Sequence, residues 1–179
     1  MVKPHIPSFG ELLAPYLSGV PEEALPFLLS QLERTAAARY RGWAEEVPEY
    51  REKLLACADS EDEIADRVEH LLPPSDAHRA LVLEMLPKAK AAYYKVFEGL
   101  SAVGQMTIQA DAEKQGAGAW QRMKITHPAL AEEMDALSEI ELKSGDCLDQ
   151  ILGEMTTKEA SYGGINVLDN GCVDASLMY

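Results

Sequence analysis

The chain matches itself when it is shifted by 80 positions without a gap, and charged residues coincide as well as apolar ones. Glu33 falls on Glu113, Pro48 on Pro128 and Glu61 on Glu141. Alongside them Tyr40 falls on Trp120, Ala56 on Ala136, Val68 on Leu148, Leu71 on Ile151 and Leu72 on Leu152. The match reads as an internal duplication of a two-helix unit, with core copies at 21–72 and 101–152. One helix pair cannot bury its apolar face alone. Two such pairs are therefore expected to close into a four-helix bundle, whose interior is where metals and cofactors are held.

Helix signals fill both copies. A short helix is predicted over 8–17, with Ser8 as its cap, Leu12, Leu13 and Tyr16 on one face, and Gly19 beyond its end. A long helix opens near Pro21, a good first-turn residue, followed by Glu22 and Glu23 where the helix dipole favours acids. Its residues Leu25, Leu28, Leu29, Leu32, Ala36, Tyr40, Trp43 and Val47 recur every three or four positions, the helical period. Pro48 restarts the chain as a second helix through Leu54, Ala58, Ala65, Val68 and Leu72, and Pro73-Pro74 stops it. Residues 75–100 have no counterpart in the repeat. They read as a helical crossover, broken or kinked at Pro87, that returns the chain to the start of the third long helix. Residues 101–124 and 128–152 then repeat the first pair. Gly116 and Gly118 weaken the third helix locally, and glycine inside a helix signals close packing by a neighbour.

The expected fold class is thus all-α: a four-helix bundle domain over 1–153, with a tail at 154–179. In the tail Asp169-Asn170-Gly171 is flanked by apolar residues, the strongest short hairpin signal. A small hairpin, or an extended segment lying on the bundle, is expected there. A chain of 179 residues supports one well-buried core and is marginal for two. Sixteen basic against thirty acidic residues, a net charge of −14, argue against a nucleic-acid partner and against anionic membrane surfaces. The first residues hold no apolar stretch of signal-peptide length and no run is long enough to cross a bilayer, so a cytoplasmic location is expected. Cys57, Cys147 and Cys172 are an odd set with no CxxC spacing, which suggests neither a disulfide framework nor a zinc site. Cys57 and Cys147 read as small core residues.

On a helical projection Glu33 lies with Leu29, Ala36 and Tyr40, and Glu61 with Leu54, Ala58, Ala65 and Val68. Glu113 lies with Met106, Gln109 and Trp120, and Glu141 with Met134, Leu137 and Leu148. All four acids face one core. Burying unpaired carboxylates is costly, and a neighbouring cation, shared protons or bound metal each relieve it. The pattern resembles the ferritin-like superfamily, rubrerythrins in particular, over residues 21–152. In that family two helices each offer a glutamate followed seven residues later by an aromatic. The other two each offer Glu-x-x-His, and together they hold two irons or manganeses. Glu33 with Tyr40 and Glu113 with Trp120 match the first pattern, and Glu61 and Glu141 match the glutamate of the second. The resemblance implies a metal site on Glu33, Glu61, Glu113 and Glu141, with an iron or manganese pair as its cofactor. Both histidines are missing: Ile64 and Ser144 stand three residues past Glu61 and Glu141. Oxygen ligands alone suit manganese, magnesium or calcium, whereas iron sites for oxygen chemistry normally include nitrogen. The competing reading makes the four acids boundary residues, salt-bridged to Arg39, Arg67 or Lys124 or solvated by a tilt of the helices.

Other features carry less. His70 can join Glu63 or Asp66 as an offset ligand set, but reads more simply as a helix-end histidine. His78 and His127 read as incidental, Tyr93, Tyr94 and Phe97 as a packing stripe, and Met85, Met106, Met123 and Met134 as core filling. There is no Gly-rich phosphate loop, nucleophile elbow or HExxH motif. Two functions stay open. One is a ferritin-like bundle protein, a degenerate di-metal carboxylate oxidoreductase or a metal-handling protein. The other is a non-catalytic bundle serving as a binding scaffold, or as the leader of a ribosomally made peptide whose segment after Gly163-Gly164 is altered by a modifying enzyme. Self-association into a homodimer is a simpler use of the tail.

Deleting residues 163–179 is expected to leave helicity and cooperative unfolding nearly intact. The segment lies outside the duplicated unit and offers only Ile165, Val167, Leu168, Val173, Leu177 and Met178 for burial. Burying six such side chains contributes about 9–18 kcal/mol gross, and ordering the backbone of the whole segment costs a comparable amount. Circular dichroism and thermal melts check this, and a truncated chain that melts many degrees lower would make the tail part of the core.

Overall fold

Serine caps and proline joints divide the chain into helices. In the computed structural model, which describes residues 5–163, helix α1 spans Phe9–Leu17 and α2 Leu25–Glu46, α2 following a 3-10 turn at Glu22–Ala24. Helix α3 spans Arg51–Leu71, α4 Asp76–Lys95, α5 Ala102–Thr126 and α6 Ala131–Gly163. The hydroxyls of Ser8, Ser75 and Ser101 accept from the backbone N–H groups of Glu11, His78 and Gly104 at 3.2–3.3 Å, satisfying donors that a helix start leaves open. All secondary structure among the described residues is helical, so the chain is all-α as the periodicity predicts. No helix among them is long and apolar enough to cross a membrane.

The joint between α2 and α3 is the same as that between α5 and α6. Val47 (φ −125°, ψ 71°) and His127 (φ −127°, ψ 59°) both leave the helical region, as the residue before a proline must. Each is followed by one 3-10 turn, Pro48–Tyr50 or Pro128–Leu130, and each sends its N–H back to the residue four before it, at 2.8 and 2.9 Å. These joints make both pairs antiparallel. Along α2, Arg34 reaches Asp66 and Glu69 while the later Arg41 reaches the earlier Asp59 and Asp62. Lys114 pairs with Asp149, and the later Lys124 with Asp135. The most extensive helix contacts are α2 with α3 and α5 with α6, and α3 meets α6 across the two pairs.

One expectation is narrowed and one differs. Of a break or a kink at Pro87 the break is excluded, since α4 runs through the proline, which is exposed, as is Leu83, whose carbonyl a proline four residues on cannot serve. Helix α6 does not stop at Leu152 but runs on to Gly163. A single glycine costs a helix only about 1 kcal/mol, and here Leu152 and Met155 pack on the core on either side of Gly153. Lys53 pairs with Glu154 and Lys158 with Glu49, tying the extension to the α2–α3 pair. The expected hairpin around Asn170-Gly171 lies outside the described residues.

Four apolar clusters form among the described residues, and two of them lie along the four long helices. One contains Tyr40, Trp43, Leu54, Ala58, Met106, Leu148 and Ile151, and the other Ile64, Val68, Trp120, Met134 and Leu137. Met106 and Met134 fill the core as expected. Leu54 is fully buried in the first cluster, and Leu54→Ala should cost about 2–5 kcal/mol, because a packed site relaxes only partly around the hole. Urea unfolding should show a lower midpoint with an unchanged slope.

Candidate metal centre

On each long helix the glutamate falls where the chain passes from one apolar cluster to the other. Glu61 stands between Ala58 and Ile64, Glu113 between Ala110 and Trp120, and Glu141 between Leu137 and Leu148. Glu33 stands between Leu29 and Ala37 on α2. The helical period thus delivers all four acids to one polar layer. Glu61, Glu113 and Glu141 are buried and Glu33 is half-buried.

Three of the four come together. Glu33, Glu61 and Glu141 each offer a carboxylate oxygen within 4.8 Å of the others. Ser144 donates to Glu61 Oε1 at 2.9 Å, while Glu61 Oε2 is buried with no hydrogen-bond partner. Trp120 Nε1–H donates to Glu141 Oε1 at 2.9 Å. Glu113 is held at the side: Tyr40 O–H and Gln109 Nε2–H both donate to its Oε1, at 2.7 and 2.8 Å. Gln109 accepts in turn from Tyr93 of α4 at 2.6 Å.

The expected salt bridges do not form, and solvation by a helix tilt is open only to half-buried Glu33, since Glu61, Glu113 and Glu141 are buried. Among the described residues no lysine or arginine pairs with any of the four glutamates. Arg67 is taken by Glu63 and Glu133, and Lys124 by Asp135. Arg39 lies against the rings of Trp43, Tyr93, Tyr94 and Phe97, 3.5–5.7 Å from their centroids, so the expected packing stripe holds a cation. The offset set around His70 is likewise spent, since Asp66 pairs with Arg34 and Glu63 with Arg67, and His70 is exposed.

Burial and mutual repulsion favour the protonated forms of the clustered carboxyls. Burial, reinforced by the charge on Glu113, pushes the Glu33 carboxyl up to about 8, against a hydrogen bond with Glu141 that lowers it. Burial drives Glu61 well above the ordinary carboxylate range, with the charges of Glu113 and Glu33 adding to it. Glu141 is raised in the same way, by burial first and then by Glu33, Glu113 and Glu61. Protons leave such a cluster as a coupled set.

Space for the cluster comes from two features. A Cβ on Gly116 would stand 2.7 Å from Glu141 Oε1 and 2.9 Å from its Cδ, so only glycine leaves the α5 surface open for that carboxylate. The close packing that the sequence predicted at Gly116 is therefore by a glutamate. A cavity of about 420 Å³ is lined by Glu33, Glu113, Glu141 and Gly116, and also by exposed Gly10 and Arg122, so it runs from the surface to the carboxylates. Ser144, Gln109 and Tyr93 are the site residues that sequence reasoning missed. Ser144 was visible only as the residue in the place of a histidine, and Gln109 only as a polar residue on an apolar face. Tyr93 was visible only as part of an aromatic packing stripe. Compared with protein-family models, with curated proteins and with solved structures, the chain finds no match.

The proton-holding layer sets a pH dependence. Folded glutamates that keep protons lost by the unfolded chain stabilise the fold at low pH, and that contribution falls as pH rises from about 4.5 through about 8. In chelator-treated protein, Glu61→Gln should therefore match wild type near pH 5 and exceed its stability by more than about 1 kcal/mol near pH 8. Denaturant titrations at a series of pH values read this difference, and a gap that does not widen with pH would contradict it.

Proposed function

We propose that this chain is a metal-binding, ferritin-like four-helix bundle, built from a duplicated helix pair, which holds a divalent cation at Glu33, Glu61 and Glu141. One observation carries the reading: Glu61 Oε2 is buried and without a partner, in a group whose carboxylate oxygens lie within 4.8 Å of one another. An oxygen left bare in the interior is expensive, and a cation satisfies it together with its neighbours. The matching proline joints, 80 residues apart, support the duplication, and the antiparallel cross-links support the bundle.

The donor set decides which cation fits. Three carboxylates and no imidazole make a hard, anionic site, suited to manganese, magnesium or calcium rather than to iron tuned by nitrogen. Ser144, where the resemblance calls for a histidine ligand, instead binds Glu61 Oε1 and turns Oε2 inward. Trp120 orients Glu141 in the same manner, and Tyr40 with Gln109 keeps Glu113 beside the set as a further negative charge. Glu33 lines the cavity together with Glu113 and Glu141 and, being half-buried, is the most accessible of the four acids. Bound manganese supplies redox chemistry that magnesium and calcium do not, so manganese occupancy would make the protein an oxidoreductase candidate and the others a metal-handling one.

Elemental analysis of protein purified without added metal tests this reading. Metal at one or two ions per chain is expected, and Glu61→Gln should abolish it. Protein that is metal-free and takes up no manganese on dialysis would overturn it. Gly116→Ala should move the Glu141 carboxylate and weaken manganese binding about 10–100-fold, while the helix itself gains up to about 1 kcal/mol in propensity. Calorimetric titration with manganese and thermal melts read the two effects separately.

A further inference from the structure

The contact between α3 and α6 carries a second chemical group. Lys53 meets Glu154 at 2.8 Å at one end of this antiparallel contact, and Glu61 meets Ser144 at 2.9 Å further along. Cys57 lies midway between Lys53 and Glu61 on α3, and Cys147 lies between Ser144 and Glu154 on α6, so the helix register sets the two opposite each other. Both pack in the same apolar cluster, near enough that each thiol is the first influence on the other's ionisation. Their surroundings differ. Cys57 is 4% exposed, whereas Cys147 is only half-buried and lies near the Lys53 ammonium. The neighbouring thiol first, and then the Lys53 charge, hold Cys147 down to about 7 against burial and the Glu154 charge, while the same neighbouring thiol and burial push Cys57 up.

We propose that Cys57 and Cys147 form a reactive dithiol that hydroperoxides oxidise to a disulfide joining α3 to α6, with Cys147 as the attacking thiolate and Cys57 as the resolving thiol. The Cys147 sulfur attacks one peroxide oxygen and the O–O bond breaks. The other oxygen leaves and takes up a proton as alcohol, or as water from hydrogen peroxide, and Cys147 becomes a sulfenic acid. The Cys57 sulfur then attacks the Cys147 sulfur, the S–O bond breaks, and the hydroxide leaves as water with the Cys57 proton. Two thiols lose two electrons and two protons, and the peroxide gains both. The exposed, acidified sulfur meets the oxidant and the shielded one stands within reach, so the sulfenic acid is resolved inside the fold. The proposal is independent of whether a cation occupies the carboxylate layer.

The test uses the reduced full-length chain, treated with one to a few equivalents of hydrogen peroxide, with and without a chelator, and then mapped by non-reducing peptide mass spectrometry. Titratable thiols should fall from three to one, a Cys57–Cys147 linked peptide should appear under both conditions, and dithiothreitol should restore all three. Cys57→Ser should leave a dimedone-reactive sulfenic acid on Cys147, and Cys147→Ser should abolish thiol-dependent peroxide consumption. In a Cys172→Ser background, alkylation of Cys147 should follow a pH profile with a midpoint near 7, and Lys53→Met should move that midpoint upward. The wild-type map decides the question even if a variant fails to fold. Three thiols surviving excess peroxide, linkage through Cys172 instead, a dimedone adduct on Cys57 rather than Cys147, or oxidation that the chelator suppresses would each overturn the proposal.

Discussion

Four carboxylates in one layer between two apolar clusters are the constraint on which the rest of this structure depends. Isolated burial of ionised acids is prohibitive, so each must be protonated, hydrogen-bonded or neutralised. The chain sorts them. Glu113 receives two strong donors, Tyr40 and Gln109; Glu141 receives Trp120; Glu61 receives Ser144 on one oxygen and nothing on the other; and Glu33 keeps a side on the cavity. A layer of identical acids in identical settings would have no such hierarchy.

The hierarchy arises where residues 80 positions apart differ. Gln109 beside Glu113 corresponds to Leu29 beside Glu33, Ser144 corresponds to Ile64, and Gly116 corresponds to Ala36. Each difference changes the partner or the space available to one carboxylate and leaves the helix scaffold alone. The crossover adds to this asymmetry. Tyr93 on α4 extends the hydrogen-bond chain from Gln109, and Arg39 lies on the Tyr93 ring, so a half-buried cation and the buried Glu113 carboxyl are linked through neutral groups rather than paired.

The α3–α6 contact concentrates both candidate chemistries. It holds the Ser144–Glu61 hydrogen bond and, one turn along α3 from Glu61, the Cys57–Cys147 pair. In our reading, a covalent link there would fix the distance between the two helix pairs at the level of the carboxylates. A packed core responds to such a constraint by repacking rather than by stretching, which couples the thiols mechanically to the acid layer.

The amino-acid sequence by itself determined the helices, their proline joints and the inward face of all four glutamates, because these follow from local rules: a 3.6-residue period, a missing N–H and a favoured cap. Those rules are blind to contacts between residues far apart in the chain. Which three acids converge, that Ser144 serves Glu61 rather than Glu141 on its own helix, that Arg39 binds rings instead of a carboxylate, and that Cys57 meets Cys147 were decided only by the packing of helix on helix. The end of α6 belongs to the same class. Gly153 is a local stop signal, and it was overridden because Met155, Glu154 and Lys158 find partners on the α2–α3 pair, and tertiary contacts outweigh the roughly 1 kcal/mol that a glycine costs a helix.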